Sequence, residues 1–492
     1  MRLASILSGV ECVGPYDKEL EISGITCDSR AVTSGCLFAA VRGEREDGHA
    51  YLRQAAERGA AAVLCETPPD LPGVWIRVKD SRAALAQAAA NFSGRPAERL
   101  TVIGVTGTNG KTTSTYLLRS MLAEVLGTGV GLIGTNGARI GEEEIPTCNT
   151  TPGAPEVQRL LRRMADAGCT HTVMEVSSHA LLQHRVDAVP FRVGLFTNLT
   201  PEHLDYHGTM EAYREAKALL FRQCETAVLN LDDEAGRYYA ATLPGPKITY
   251  SERSDAADLT AHDLRLYSDR VEFLAVIRSD LARVTLPIPG GFSVYNALGA
   301  LACGLALGLP LREMAAALGN ARGVRGRIEV VPTPDEITVI IDYAHTGDAL
   351  EKILTAARAF TEGRVICLFG CGGDRDREKR PVMGAVAAAL ADIVILTSDN
   401  PRWEDPMDIL AEIRAGIPAG APAETICDRR EAIRRALCLA RAGDTVLLCG
   451  KGHETYQECR GVRTHLDERE EVAAYYAGRA AFTEEPSGQE QI

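Results

Sequence analysis

No stretch of this chain is long and apolar enough to span a bilayer, and none of its 14 cysteines forms the two-residue-spaced pair typical of a structural metal site. The first absence excludes a helical membrane protein. The second, in scattered cysteines, points to a reduced compartment. Positive charge is also short: 53 lysines and arginines face 66 aspartates and glutamates, a formal charge of −13. Nucleic acids and anionic membranes favour basic surfaces, so neither is an expected partner. A locally basic pocket for a small anionic substrate stays open. There is no short tandem repeat. Residues 1–10 are mildly apolar but broken by Ser5, Ser8 and Gly9, without the basic region and apolar run of an export signal. A cytoplasmic location is therefore expected.

What is present suits an ordinary globular protein. The 492 residues are 46% hydrophobic and 24% charged. At roughly 100–200 residues per domain, about three domains are expected. Block one, residues 1–95, has short strand-like runs at 37–41, 61–64 and 74–78 and an alanine-rich helical stretch at 81–91. Glycine and proline at 93–97 make a linker. Block two, 96–328, opens with the apolar run 100–105, and strand-like runs recur at 173–176, 193–197 and 227–231. Block three, 329–492, repeats the style at 337–343, 365–369, 393–397 and 445–449. Strands alternating with helices predict an α/β fold of mostly parallel sheets, with ligands beyond the carboxyl ends of the strands. The polar tail from Thr483 is expected to be disordered.

The strongest motif is Thr106-Gly107-Thr108-Asn109-Gly110-Lys111-Thr112-Thr113, between a strand-like run and a helical stretch. Such a loop turns its N–H groups toward phosphate oxygens. Lys111 would reach the terminal phosphates, and the Thr112 hydroxyl would meet magnesium. Val105 stands where the general pattern asks for glycine, so the loop is a shortened variant. A phosphate loop alone does not name a reaction.

Further motifs follow in order: Glu175-Val176-Ser177-Ser178-His179-Ala180, Asn198 through Asp205, Asn296-Ala297, Gly326-Arg327-Ile328-Glu329 and Asp342-Tyr343-Ala344-His345. Together with the shortened loop, this set resembles the Mur ligases and their folate-glutamating relatives over nearly the whole chain. Asp28-Ser29-Arg30, Asn149-Thr150-Thr151-Pro152, Gly372 through Asp376, Asp399-Asn400-Pro401-Arg402 and Gly450-Lys451-Gly452-His453-Glu454 sharpen the likeness. They match the family members that add the third residue of the peptidoglycan stem peptide.

The resemblance implies three domains: one for the UDP end of the substrate, a central phosphate-loop ATPase, and a Rossmann-like domain for the amino acid. It implies an ATP- and magnesium-dependent ligase, expected to be a monomer. Its substrates would be UDP-N-acetylmuramoyl-L-alanyl-D-glutamate and meso-diaminopimelate, joined by way of an acyl phosphate. Glu175, His203 and a carbamylated Lys217 would bind magnesium with Thr112. Asn296, Arg327, Asp342 and His345 would join residues 107–113 around the nucleotide. Ser29 and Arg30 would take the uridine diphosphate, while Asn149, Thr150, Thr151, Ser178 and Arg185 would take the muramoyl-dipeptide.

The acceptor lends itself to a physical argument. Diaminopimelate differs from lysine by a distal carboxylate, and a guanidinium fork can bind one bidentately. Arg402 supplies that fork and Arg375 is a second candidate, with Asp399, Asn400 and Pro401 beside them. Glu454 and the Gly450 carbonyl could accept hydrogen bonds from the distal ammonium. The alternatives are a lysine-adding ligase, in which Arg402 would have no partner, and a folylpolyglutamate-synthase-like ligase, in which residues 28–30 and 149–152 would have no role. A non-catalytic nucleotide-binding scaffold predicts decay at Lys111, Glu175, His203 or Lys217, and all four are present.

Overall fold

Short apolar runs between glycine and proline breaks become buried parallel strands when helices cover both faces of the sheet. The structure, a computed structural model, describes residues 1–14, 16–43, 46–278 and 280–483, the last five by their backbone alone. The polar tail expected beyond Thr483 lies outside them. Two compact units are formed: residues 1–260, 276–282 and 296–317, and residues 261–275, 283–295 and 318–492.

The first unit holds a small amino-terminal sheet in the order Cys12–Val13, Trp75–Val78, Ala62–Cys65, Leu37–Ala39, Ile25–Thr26. All its pairs but the first are parallel. Helix Ser81–Phe92 starts where the Asp80 carboxylate accepts the N–H groups of Arg82 and Ala83. It buries Ala84, Leu85 and Ala88 in the core under the sheet.

The larger sheet is centred on Thr101–Thr106. This strand pairs in parallel with Phe191–Phe196 on one side and His171–Glu175 on the other. Val130–Gly134 lies beyond His171–Glu175, and Cys224–Asn230 then Lys247–Ser251 lie beyond Phe191–Phe196. After Thr101–Thr106 the chain first builds one side and later crosses to the other. The strand order therefore reverses at the end of Thr101–Thr106, the place where such sheets bind ligands. Helix Lys111–Leu126 leaves from that point and buries Leu117, Leu118, Met121 and Leu122.

The second unit carries a sheet ordered Glu329–Val331, Thr338–Asp342, Thr445–Cys449, Val365–Phe369, Ile393–Leu396, Ala423–Thr425. Only its first pair is antiparallel. Its two faces are covered by separate apolar clusters, one including Leu350, Met383 and Ile413, the other Ile433, Leu437 and Val472. A two-stranded ribbon, Tyr456–Cys459 with Val462–His465, follows.

The expected strands are present within a few residues of their places. Val130–Gly134 was not expected, because glycines interrupt its apolar run. Nor were Leu259–Leu266 and Asp280–Leu286, where polar residues interrupt the apolar ones, or Val271–Ile277, which is apolar except at Glu272. Among the described residues no helix is long and apolar enough to cross a membrane.

Candidate active site

The loop after Thr101–Thr106 is clamped onto the neighbouring strand end. Thr108 N–H donates to the Asn198 carbonyl at 2.8 Å and Asn109 N–H to Asn198 Oδ1 at 3.0 Å. Thr197 Oγ1 and Asn198 Nδ2 both donate to the Asn109 carbonyl. Gly107 has a φ of +149°, and a Cβ there would collide with Thr197 Oγ1, so only glycine fits. Lys111 folds back, its Nζ donating to the Gly107 and Thr108 carbonyls at 2.8 Å each. Asn296 lies against the same turn: its Oδ1 accepts from Ser114 Oγ at 3.2 Å and borders Gly110. Thr113 follows Thr112 in the first turn of the helix.

Glu175 ends its strand fully buried. Its carboxylate accepts from Thr112 Oγ1 and Thr135 Oγ1, both at 3.1 Å, and from Thr135 N–H at 2.9 Å. Lys217 lies on helix Met210–Arg222 and is 1% exposed. Its Nζ sits 4.3 Å over the Tyr213 ring. Burial first, and then the charge of Lys111, push its pKa well below the usual lysine value. Tyr213 is the hub of this corner. Its hydroxyl is 3.3 Å from Thr108 Oγ1, its ring stacks on His207 at 4.6 Å and meets His203 edge-on at 6.5 Å. Burial pushes the Tyr213 hydroxyl up to about 12 and His207 down to about 4, the latter helped by His179, Lys217 and His203. The structure therefore sets Lys217 and His203 against one ring, with Lys111 near enough for its charge to be felt at Lys217 and with Thr112 and Glu175 joined to each other beside the loop.

The residues expected to face the muramoyl-dipeptide divide. Thr150 shares a hydrogen bond with Thr135 at 3.1 Å, and Asn149 is exposed. Thr151 is fully buried, donating to the Glu175 carbonyl at 2.9 Å and accepting from Ser177 N–H at 3.0 Å. Its hydroxyl braces the strand end. Ser178 is also buried, 2.9 Å from His207 Nε2. Arg185 donates from Nη1 to the Thr151 carbonyl at 2.7 Å. Near the amino terminus Ser29 is buried, and the Arg30 fork is held by its own neighbour Asp28 at 2.9 and 3.0 Å.

In the second unit Arg327 lies 4.7 Å over the Tyr343 ring, and its buried Nε has no hydrogen-bond partner among the described residues. Asp342 accepts from Ile328 N–H and Ala344 N–H at 2.8 Å each, and burial raises its carboxyl despite Arg327. The rings of His345 and His453 lie 4.8 and 5.2 Å from Tyr343. Burial and three arginines bring His453 down to about 4.

Farther along, Arg402 takes a left-handed φ of +52°. Its Nη1 donates to the Gly373 carbonyl at 2.6 Å, and its N–H to the Glu458 carbonyl of the ribbon at 3.1 Å. Arg375 is exposed on the same Gly-rich loop, and Pro401 is buried beside Arg402. Asp399, Asn400, Gly450 and Glu454 meet around Lys451.

Three family models match in chain order. The Mur ligase family catalytic domain covers residues 21–93, the middle domain 105–304, and the glutamate ligase domain 326–452. The chain belongs to the Mur ligase family. A Clostridium botulinum protein named UDP-N-acetylmuramoyl-L-alanyl-D-glutamate–2,6-diaminopimelate ligase is 42% identical over 96% of this chain and 99% of its own. A Chlorobaculum tepidum protein of the same name is 46% identical over 93% and 92%. A solved structure of an enzyme so named superposes with a TM-score of 0.73 at 35% identity, covering 98% and 99%.

The Mur ligase motifs named in the sequence omitted several residues that the site contains. Tyr213, His207 and His453 were not singled out, nor was Lys451. The last two stand inside a quoted motif, whose spacing signals proximity to the site but not which side chain turns inward. Among the described residues no three His, Cys, Asp or Glu side chains gather to hold a metal. The oxygen groups at Thr112 and Glu175 nonetheless suit a hard cation that keeps part of its water shell.

Proposed function

We propose that this Mur ligase joins meso-diaminopimelate to UDP-N-acetylmuramoyl-L-alanyl-D-glutamate at the expense of ATP, in cytoplasmic peptidoglycan precursor synthesis. The observation that carries the ligase reading is Lys217, fully enclosed and within the field of Lys111 at the phosphate loop. A second cation there is opposed by the first, with Glu202 a smaller offset. A neutral amine can instead attack carbon dioxide, forming a C–N bond and losing a proton to water, so that the site gains an anion in place of a cation. Thr112, Glu175, His203 and the carbamylated Lys217 would hold magnesium, which when bound spreads the negative charge of the phosphates.

The remaining chemistry belongs to substrate groups that the protein positions. The D-glutamyl γ-carboxylate attacks the γ-phosphorus, and ADP leaves with the bridging oxygen. Lys111 offsets charge on the phosphates, and the loop amides orient them. The amine of diaminopimelate then attacks the acyl carbon, phosphate departs, and a proton is released. Arg327, Asp342, His345 and Asn296 hold the nucleotide in this reading. Ser29, Arg30, Asn149, Thr150, Ser178 and Arg185 hold the nucleotide-sugar dipeptide. Arg402, aided by Arg375, takes the distal carboxylate of the acceptor. The domains divide at 1–95, 96–328 and 329–492.

The test is phosphate release from magnesium-ATP and the UDP-dipeptide, with meso-diaminopimelate, L-lysine or no amine. Release with diaminopimelate, and a tripeptide product by mass, is expected. Equal release with lysine would overturn the acceptor, and none with any amine would overturn the substrate.

A further inference from the structure

Lys451 has no exposed surface, yet its ammonium meets four oxygens. Asn400 Oδ1 accepts at 2.6 Å, the Tyr456 carbonyl at 2.7 Å and Glu454 Oε2 at 3.2 Å, and Asp399 Oδ1 lies at 3.2 Å. Asn400 Oδ1 also accepts from Glu458 N–H at 2.9 Å. With two donors aimed at that atom, the amide has one workable orientation. Its Nδ2 then donates to Glu454 Oε2 at 2.8 Å.

Glu454 Oε2 is thus held twice, directly by Lys451 and through Asn400. Its Oε1 makes no hydrogen bond among the described residues. One cation here faces two carboxylates, Asp399 and Glu454, so one negative charge is left over. Behind the network, buried Arg429 ties the Ser398 and Cys449 carbonyls together and pairs with Glu468 at 2.7 Å. Both strand ends that carry the network are braced.

We propose that Lys451 is the positioning residue of the acceptor site, fixing Asn400 and Glu454 so that the leftover negative charge meets the acceptor's distal ammonium. The assignment rests on the acceptor reading above and deepens it. Two neighbouring groups divide the work: Arg402 reads the distal carboxylate, and the Lys451 network reads the distal ammonium.

The experiment compares kcat/KM for meso-diaminopimelate and for 2-aminopimelate, which keeps the distal carboxylate and lacks the distal amine. Wild type is expected to prefer diaminopimelate by about 100-fold or more, as sites that leave a polar group unmatched do. In Lys451→Met that preference is expected to fall below about tenfold, with KM for ATP and for the UDP-dipeptide within about twofold. A general loss of folded enzyme lowers both acceptors equally and keeps their ratio, and that result would overturn the assignment. So would a wild type that uses both acceptors equally well. A wild type inert toward every amine would overturn the substrate reading and this assignment with it. If Lys451→Met does not fold, Glu454→Gln, at a side chain only partly buried, reads the same network. A collapsed preference at an unchanged unfolding midpoint supports the proposal, and an intact preference ends it.

Discussion

Lys217 and Lys451 are both enclosed, at 1% and 0% exposure, and their surroundings are opposite. Lys451 is ringed by oxygens, with two carboxylates at 3.2 Å. Lys217 has an aromatic face at 4.3 Å, and its field is dominated by another lysine. Burying a cation costs several kcal/mol unless partners offset it. Lys451 has such partners and serves as a fixed charge in a scaffold. Lys217 lacks carboxylate partners within ion-pair distance among the described residues, and burial favours the uncharged form of its amine, the form that can react. Burial alone therefore does not tell a structural lysine from a reactive one; the electrostatic company does.

The two lysines should differ most in turnover. Lys217→Ala should lower kcat by about 10³-fold or more if the lysine supplies an anion at the phosphates. Carbon-13 NMR with labelled bicarbonate should show a carbamate signal in wild type and none in the variant. Full turnover without Lys217 would make it a mere buried lysine.

Next in size is acceptor choice. Arg402→Ala should lower kcat/KM for diaminopimelate by about 10²–10³-fold and leave that for L-lysine nearly unchanged, because only the former has the distal carboxylate. Arg402→Lys should not restore it, since a point charge does not replace the fork. A parallel loss for both amino acids would assign Arg402 to the loop, where it also holds the Gly373 carbonyl.

The two lysines should also part in folding stability. Lys451→Met should destabilise by about 3–5 kcal/mol, because it strands two carboxylates. Lys217→Met should instead stabilise the protein at neutral pH, without magnesium or carbon dioxide. The folded-state pKa of Lys217 lies below the unfolded 10.5, so within that window unfolding takes up a proton. Its penalty is full below the folded pKa and fades as pH rises toward 10.5. The gain from Lys217→Met should fade over the same window in denaturant titrations. Equal destabilisation by both substitutions would erase the distinction.

Much of the site was legible because its parts are contiguous. The phosphate loop is read from residues 106–113, since a strand, a glycine turn and a helix start must lie next to one another in the chain. The parallel sheets follow from apolar runs alternating with helical stretches. Arg402 stands out by its chemistry, since a guanidinium suits a carboxylate, but its partners in the fold, the Gly373 and Glu458 carbonyls, were not legible. Thr151 shows the limit. The resemblance gives it to the dipeptide, and only the structure shows its hydroxyl bonded to the Glu175 carbonyl.

The alternation of strands and helices, the turn at Gly107 and the charges available are written along the chain. Backbone sterics and hydrophobic periodicity act over a few residues and leave their marks locally. Which of those charges lost their water, and what they faced, depended on the packed fold. Lys217 meets Tyr213 four positions earlier, but the field of Lys111 reaches it from another element. Lys451 meets Asp399 and Asn400 across some fifty residues of chain. Desolvation and Coulomb interaction depend on distance in space, which spacing in sequence does not record.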